Sequence, residues 1–219
     1  MKIESRGDFV PIAQVQLERG EEIYSEGGLL VYSDPTIGFQ MRYLTQGGLG
    51  GIVRRSLGGL PFHLHVYTGP GYVAFSRSRP GEVRTLELQA GQSIDLAEHS
   101  LLLATNSIGY APYYVRGAGG ALGIRRLEGV WMDRLTGPGT IVYHGHGNIL
   151  SFNLKEGEGM DVDEGALLLK DAGVKIQPYS QSLGGGLTGH AMSFSALRVQ
   201  GPGQVALQTV DPSRAHSGK

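Results

Sequence analysis

The tripeptide Gly137-Pro138-Gly139, followed by Thr140-Ile141-Val142-Tyr143, is the stretch of sequence that decides the fold. Gly-Pro-Gly occurs again at 69–71 and 201–203, and an alternating apolar segment follows it each time. Glycine reaches the positive φ angles of tight turns, and proline cannot donate a hydrogen bond inside a sheet. Each tripeptide is therefore predicted to form a turn that begins a strand.

A second pattern recurs in step with the tripeptides. An apolar residue, a glycine three residues later and a further apolar residue occur within 88–95, and Leu101-Leu102-Leu103 follows. The pattern returns at 154–161 before Leu167-Leu168-Leu169, and in weaker form at 17–23 before Leu29-Leu30-Val31. We therefore predict three tandem units at approximately 9–75, 76–143 and 144–210.

Alternation of apolar and polar residues within these units predicts strands. It is clearest over 142–154 and 192–198, and the 36 glycines and 10 prolines leave little room for helices. The one helix-like piece is at 52–57. We predict an all-β chain that forms one domain over 1–219. Its three units share a core around a pseudo-threefold axis, and the polar tail at 213–219 is expected to be flexible.

Composition excludes several classes of protein. Lys and Arg (19) nearly balance Asp and Glu (20), so the net charge of −1 gives no field that would gather nucleic acid or anionic membrane. The absence of cysteine excludes disulfides, thiolate nucleophiles and cysteine-ligated metals. The N-terminal residues lack the apolar segment of a secretory signal, and no apolar run is long enough for a membrane-spanning helix. We expect a cytoplasmic protein with no transmembrane segment.

The glycine-rich run from Gly47 to Gly59 and the segment that follows it to Phe75 resemble the altered-inheritance-of-mitochondria family of bacterial and mitochondrial proteins. The segments 135–139 and 200–209 carry the same resemblance, which extends from about Phe9 to Pro212. It implies three units similar to the tryptophan RNA-binding attenuation protein, which are β-sandwiches of the double-stranded β-helix kind. It also implies trimers that form a ring of nine units, and no catalytic motif. The mitochondrial relatives are linked to inner-membrane organisation, but this chain shows no presequence, so we do not expect that role here.

Two His-x-His pairs are the sharpest candidates for a metal site. His63/His65 and His144/His146 each place two imidazoles on one face of a strand, and imidazole is a common metal ligand. A cupin-type site adds a carboxylate a few residues later, and neither pair has one there. We therefore expect surface or partly buried histidines and predict no catalytic, cofactor-binding or metal-binding residue.

Two further patterns have simple structural interpretations. The glycine-rich run 184–189 matches G-x-G-x-x-G, but a strand rather than the helix of a dinucleotide site is predicted after it. The carboxylates Asp95 and Glu98 recur as Asp161 and Glu164, a pattern that suits acid–base chemistry or calcium binding. Because this spacing recurs with the units, we interpret each Asp as a turn residue bonded to its own backbone.

Basic and aromatic clusters are the candidates for contact with RNA or a small ligand. The groups are Arg54-Arg55, Arg77, Arg79, Arg84, Arg125-Arg126, and the tyrosines Tyr110, Tyr113 and Tyr114. RNA-binding surfaces combine cations for the phosphates with aromatic rings for stacking. Here the two kinds of residue are not interleaved, so nucleic-acid binding is not expected.

The leading hypothesis is a non-enzymatic β-scaffold that acts through self-assembly, as a homotrimer, and through binding an unknown protein. Sheet edges invite pairing between chains, and closed cyclic symmetry satisfies those edges. A ring that binds a small ligand or RNA is the second hypothesis. A cupin-like metal-dependent enzyme is the third.

Overall fold

The strands expected after the three Gly-Pro-Gly tripeptides are confirmed: they begin at Gly71, Gly139 and Gly203. The computed structural model describes residues 1–43, 63–116, 129–183 and 192–212, and within these ranges the chain is all-β apart from one 3-10 turn at Glu164–Ala166. The strands are β1 (Lys2–Arg6), β2 (Ile12–Leu17), β3 (Glu22–Glu26), β4 (Leu30–Ser33), β5 (Gly38–Tyr43), β6 (His63–Thr68), β7 (Gly71–Phe75), β8 (Gly81–Leu88), β9 (Ser93–Ala97), β10 (Leu101–Thr105), β11 (Gly109–Arg116), β12 (Gly129–Thr136), β13 (Gly139–His146), β14 (Ile149–Leu154), β15 (Gly159–Val162), β16 (Leu167–Asp171), β17 (Lys175–Leu183), β18 (Met192–Gln200) and β19 (Gly203–Gln208).

Steric crowding explains why both ends of each tripeptide are glycine. Gly139 has a φ angle of 147°, and a Cβ there would lie 2.6 Å from the Ser107 hydroxyl. At Gly137 a Cβ would lie 2.7 Å from the carbonyl oxygen of Leu88. The turn therefore packs so closely against its neighbours that only glycine fits on either side of the proline.

Three consecutive sets of six strands pair in the same way. In the set β8 to β13, the first and third strands pair with the sixth, and the second and fourth pair with the fifth, always antiparallel. The sets β2 to β7 and β14 to β19 have the same four pairings. Strand β1 stands outside this pattern and pairs with β2.

Two pairings join one set to the next, and they build two six-stranded sheets. β3 pairs with β10, which gives sheet B in the order β5-β6-β3-β10-β13-β8. β9 pairs with β16, which gives sheet C in the order β11-β12-β9-β16-β19-β14. The remaining strands form sheet A, β1-β2-β7-β4, and sheet D, β15-β18-β17.

Three apolar cores lie between these four sheets. Leu17 and Phe75 of sheet A pack with Leu103 of sheet B, and Leu64 of sheet B packs with Leu96 of sheet C. Sheets C and D share a third core that contains Leu167, Leu197 and Val205. The sheets therefore stack in the order A, B, C, D.

Several expectations can be compared with this architecture. The alternating stretch 142–154 is two strands, because the turn at Gly147-Asn148 separates β13 from β14. Leu150 and Phe152 of β14 are exposed rather than buried, since β14 is an edge strand. The helix-like piece at 52–57 and the tail at 213–219 lie outside the described residues. In the part of the chain that the structure describes, no helix could cross a membrane. The pseudo-threefold relation between units stays a prediction.

Candidate assembly interface

Strand β4 exposes apolar side chains that are buried at the corresponding positions elsewhere in the chain. Leu30, Val31 and Tyr32 are 47%, 51% and 42% exposed. β10 and β16 hold the same place in their own sets, and Leu101–Leu103 of β10 are fully buried. The difference has a simple cause: β10 also pairs with β3 and β16 with β9, whereas within the described ranges β4 pairs only with β7.

Strand β15 is the opposite kind of edge. β3 and β9, its counterparts, each pair with a strand of the next set, but among the described strands β15 pairs only with β18. Its residues Gly159 to Asp161 are partly or largely exposed. Two strands of the described chain therefore lack the partner that their counterparts have: β4 in sheet A and β15 in sheet D.

These two open edges are complementary in strand order. Sheet D followed by sheet A would read β17-β18-β15-β4-β7-β2, which is the order of counterpart strands in sheets B and C. Sheets A and D therefore have the strand orders of the two halves of such a six-stranded sheet, and sheets B and C lie between them. An exposed backbone edge is a template for pairing with another strand.

One face of β5 is also left uncovered. Phe39 lies opposite Tyr67 on one face of sheet B, with ring centroids 5.5 Å apart. Tyr67 is buried against sheet A, but Phe39, Met41 and Tyr43 are each half exposed or more. The counterpart face of sheet C is covered, because Tyr110 of β11 packs edge-on against Tyr24 of β3, at 6.4 Å between centroids. Among the described strands, sheet A has none at the corresponding position.

A buried cluster of charged residues links the paired strands β9 and β16. Asp95 is fully buried and accepts hydrogen bonds from Lys170 Nζ at 2.6 Å and Tyr113 Oη at 2.7 Å. Arg134 adds two more, at 2.8 and 3.0 Å. Burial alone would raise the pKa of Asp95, but these contacts hold the pKa below its ordinary value. Asp95 is thus an ionised structural residue in a strand.

Asp161 is the counterpart of Asp95 on β15, and it also binds an arginine. Arg198 Nε and Nη2 lie 2.7 and 2.8 Å from its two carboxylate oxygens. The interpretation of Asp95 and Asp161 as turn residues was wrong, because both lie within strands. Glu98 follows β9 and Glu164 lies in the 3-10 turn.

The pair His144/His146 is part of the packed interior. Both side chains are buried, and His144 Nε2 lies 3.2 Å from the backbone oxygen of Arg79. Burial, with the nearby His146, lowers the pKa of His144 to about 4, and burial also lowers that of His146. Both imidazoles are therefore neutral at pH 7.

The pair His63/His65 lies on the exposed face beside β5. Its ring centroids are 5.2 Å apart, and both Nε2 atoms lie 3.4 Å from the point where a Cβ on Gly27 would stand. Burial, followed by the influence of His63, lowers the pKa of His65. Within the described ranges, no group of three or more His, Asp or Glu side chains could hold a metal ion.

A cleft of about 660 Å³ opens where the turns after β3, β9 and β15 come together. Its lining includes Arg77, Arg79, His99, Trp131, His146 and Glu164. Glu26 lies behind it, with Arg77 at 2.7 Å and His99 at 3.4 Å. Burial alone would raise the pKa of Glu26, but contact with His99 and Arg77 holds this pKa below its ordinary value. The contact with Glu26 raises the pKa of His99. Because the carboxylate of Glu26 offsets the charges of Arg77 and His99, the cleft presents groups of both signs.

The remaining candidates do not form one site. Tyr113 bonds to Asp95, Tyr110 packs on Tyr24, and Tyr114 packs on Trp131, so the three tyrosines contact different partners. Arg84 contacts Glu82 at 2.9 Å and the carbonyl oxygen of Ile149 at 2.7 Å. The glycine-rich run 184–189, Arg54-Arg55 and Arg125-Arg126 lie outside the described residues.

Comparison with known proteins adds a family and a fold. Residues 3–210 match the family described as "Mitochondrial biogenesis AIM24". The crystal structure of protein SPYM3_0169 from Streptococcus pyogenes is similar to this chain, with a TM-score of 0.69 and 21% sequence identity. The similarity covers 98% of this chain and 94% of the streptococcal one. No curated protein matches the sequence significantly.

Proposed function

This chain belongs to the AIM24 family, and from that premise we propose that it is a non-enzymatic scaffold that assembles with further copies of itself. The observation that carries the proposal is the exposure of Leu30, Val31 and Tyr32 at positions whose counterparts in β10 are fully buried. Large apolar side chains along an open strand edge favour a partner strand. The partner proposed is β15 of another copy.

The internal joints predict how the two copies meet. Ala104 of β10 lies opposite Tyr24 of β3, and Lys170 of β16 lies opposite Asp95 of β9. The corresponding position on β4 is Ser33, so Ser33 would face Asp161 of the partner subunit, antiparallel. The same contact would bring sheet D of the partner over Phe39, Met41 and Tyr43.

This joint is head-to-tail, because it uses a different strand from each copy. Such contacts give a closed ring when the rotation between copies closes, and a filament when it does not. We propose a closed trimer in which each chain supplies three units similar to the tryptophan RNA-binding attenuation protein. The recurrence of one pairing scheme in three sets of six strands supports the unit assignment. The assembled body would then present its outer surface to a protein partner.

Native mass spectrometry of the purified protein tests the proposal, with Val31→Lys as the disrupting variant. A lysine in the middle of β4 would carry a charge into the joint, so the trimer mass is expected to give way to monomer. Leu150→Lys is the matched control, because Leu150 is similarly exposed on an edge strand that the joint does not use. A monomeric wild type, or equal behaviour of the two variants, would overturn the proposal.

A second candidate function, binding of a small ligand, is favoured by the cleft that contains Arg79 and Trp131. Concave sites of this size that combine an aromatic ring with a few polar groups suit small molecules. A native mass above a whole multiple of the denatured chain mass would reveal a retained ligand. Its loss in Trp131→Ala would assign it to the cleft, and a native mass equal to a whole multiple of the chain mass would count against this function.

A further inference from the structure

The cleft beside the turns after β3, β9 and β15 has an apolar wall that contains an aromatic ring. Trp131, which is partly buried, forms this wall together with Val130 and Leu29. The indole ring of Trp131 packs against Tyr114, with 5.1 Å between ring centroids, and is held in place by that contact. An aromatic wall in a concave site suits a flat apolar ring.

Arg77 brings a guanidinium group with unused donors to the same cleft. Its side chain is 12% exposed, and its Nη2 atom donates to Glu26 Oε2 and to the carbonyl oxygen of Leu101, both at 2.7 Å. Nη1 takes part in neither bond, and Nε has no hydrogen-bond partner among the described residues. Arg77 can therefore donate to a ligand through Nη1 while its ion pair with Glu26 stays intact. Guanidinium groups bind acidic groups in this manner.

His146 shows where positive charge acts on the cleft. Burial, followed by the charges of Arg79 and Arg77, lowers the pKa of His146, which also lines the cleft. Both guanidinium groups therefore lie close enough to act on this imidazole. A neutral imidazole donates one hydrogen bond, so an acidic group beside His146 would meet a donor in a region of positive potential.

Acidic residues of the lining limit the negative charge that a ligand can carry. Glu98 lies 3.9 Å from Nε2 of His99, and Glu164 stands in the turn after β15. A ligand with a second acidic group would meet these carboxylates, and like charges repel. A phosphate group carries about −1.5 to −2 charges near pH 7, whereas a carboxylate carries one. The cleft therefore favours a single carboxylate.

We propose that the cleft binds a small molecule that places one carboxylate at Arg77 and His146 and an apolar ring against Trp131. This inference rests on the second candidate function, binding of a small ligand, and names the class of ligand. The three residues belong to a single chain, so the site does not depend on the proposed assembly. The Val31→Lys variant is therefore expected to bind the ligand as the wild type does.

The chain has a single tryptophan, so one nuclear magnetic resonance signal reports on the cleft. The indole N–H signal of Trp131 is followed while nitrogen-15-labelled protein is titrated with 2-naphthoate or with 2-naphthylmethylammonium, which has the same ring system and the opposite charge. We expect 2-naphthoate to shift the signal and to bind at least about tenfold more tightly than the ammonium compound. Equal affinities, or tighter binding of the ammonium compound, would overturn the proposed class and leave the cleft as a ligand site. An indole signal that neither compound moves would overturn both.

Two variants assign the carboxylate to its partners. Arg77→Lys keeps a positive charge beside Glu26 but lacks the second terminal nitrogen, and His146→Phe keeps a ring but lacks the N–H donor. Each is expected to weaken binding of 2-naphthoate by about tenfold, as for a lost hydrogen bond to a charged group, and to leave binding of the ammonium compound nearly unchanged. Arg84→Lys is the matched control, because Arg84 does not line the cleft. Circular dichroism checks that the sheets are intact. Wild-type affinity for 2-naphthoate in Arg77→Lys, or an equal loss in Arg84→Lys, would overturn the proposal.

Discussion

Lys170 places its Nζ atom 2.6 Å from Oδ2 of Asp95, and this ion pair joins two successive sets of strands at the β9–β16 joint. The two side chains are almost completely buried and lie directly opposite each other in the sheet. The counterpart of Asp95 at the end of the chain is Asp161, and the counterpart of Lys170 at the beginning is Ser33. The internal joint is therefore the template for the joint proposed between copies.

Removal of the lysine should weaken the internal joint. In Lys170→Met the carboxylate of Asp95 keeps Arg134 and Tyr113 but loses its closest cation inside the core. We expect the free energy of unfolding to fall by about 3 kcal/mol, as for other buried pairs that lose one partner. Urea denaturation measures this. The double variant Lys170→Met/Asp95→Leu should recover part of the loss, and no recovery would contradict this account.

Placing a lysine at the outer joint should strengthen it. Ser33→Lys would put a cation opposite Asp161 of the partner subunit, where Lys170 stands opposite Asp95 inside the chain. We expect the dissociation constant between copies to fall about tenfold, measured by dilution in mass photometry. Ser33→Met, with a side chain of similar length and no charge, is the control. Equal constants for the lysine and methionine variants would speak against the proposed register.

The register can also be tested by cross-linking. The chain has no cysteine, so Ser33→Cys/Asp161→Cys would introduce the only two thiols. Residues directly opposite each other on antiparallel strands come close enough for a disulfide, and we expect chain-to-chain bands on non-reducing gels. Ser33→Cys/Met160→Cys shifts one thiol by a residue onto the other face of β15. Stronger cross-linking in this second variant would refute the register.

The glycine after the proline should resist substitution. Gly139→Ala would place a methyl group against the hydroxyls of Thr105 and Ser107 at a φ angle that favours glycine. We expect a loss of about 2 kcal/mol or more in the free energy of unfolding. Gly173→Ala is the control, because no described atom lies within 4 Å of its Cβ position, and its effect should stay within about 0.5 kcal/mol. Similar losses in both variants would contradict the steric explanation.

Acid should destabilise the protein partly through His144. Below the ordinary pKa of 6.5, the unfolded chain binds a proton that the folded chain, with a pKa of about 4, does not bind. Stability is therefore full above pH 6.5 and is lost as the pH falls toward 4. Between pH 7 and pH 5 this residue alone accounts for roughly 2 kcal/mol. Urea denaturation at both pH values should show a smaller drop in His144→Gln, and an identical drop would disprove the assignment.

Much of the fold could be predicted because its turns have a strong chemical signature. Gly-Pro-Gly marks the start of β7, β13 and β19, since the tight approach of neighbouring atoms leaves no alternative to glycine. The apolar triplets around Leu101 and Leu167 likewise mark buried strands. Local sequence carries this information because the constraint on each residue is local.

The open edges could not be predicted in this way. Leu29-Leu30-Val31 resembles Leu101-Leu102-Leu103, yet Leu30 and Val31 are exposed because no described strand pairs with β4 in the place that β3 takes beside β10. Whether such a strand is present depends on distant parts of the chain. In the sequence, the only indication that this edge differs is the weaker first copy of the repeated pattern at 17–23. The histidine pairs show the same limit, because His144 and His146 are buried by packing that the His-x-His pattern does not encode.

The pairings β3–β10 and β9–β16 have a consequence for how a ring would respond to the amount of protein. In a ring of nine separate units, every joint would form between independent molecules, and the yield would vary with the ninth power of their concentration. Here two of every three joints are carried on one polypeptide and form as it folds. A ring of three chains would depend only on the cube of concentration, so it would persist when the protein is scarce.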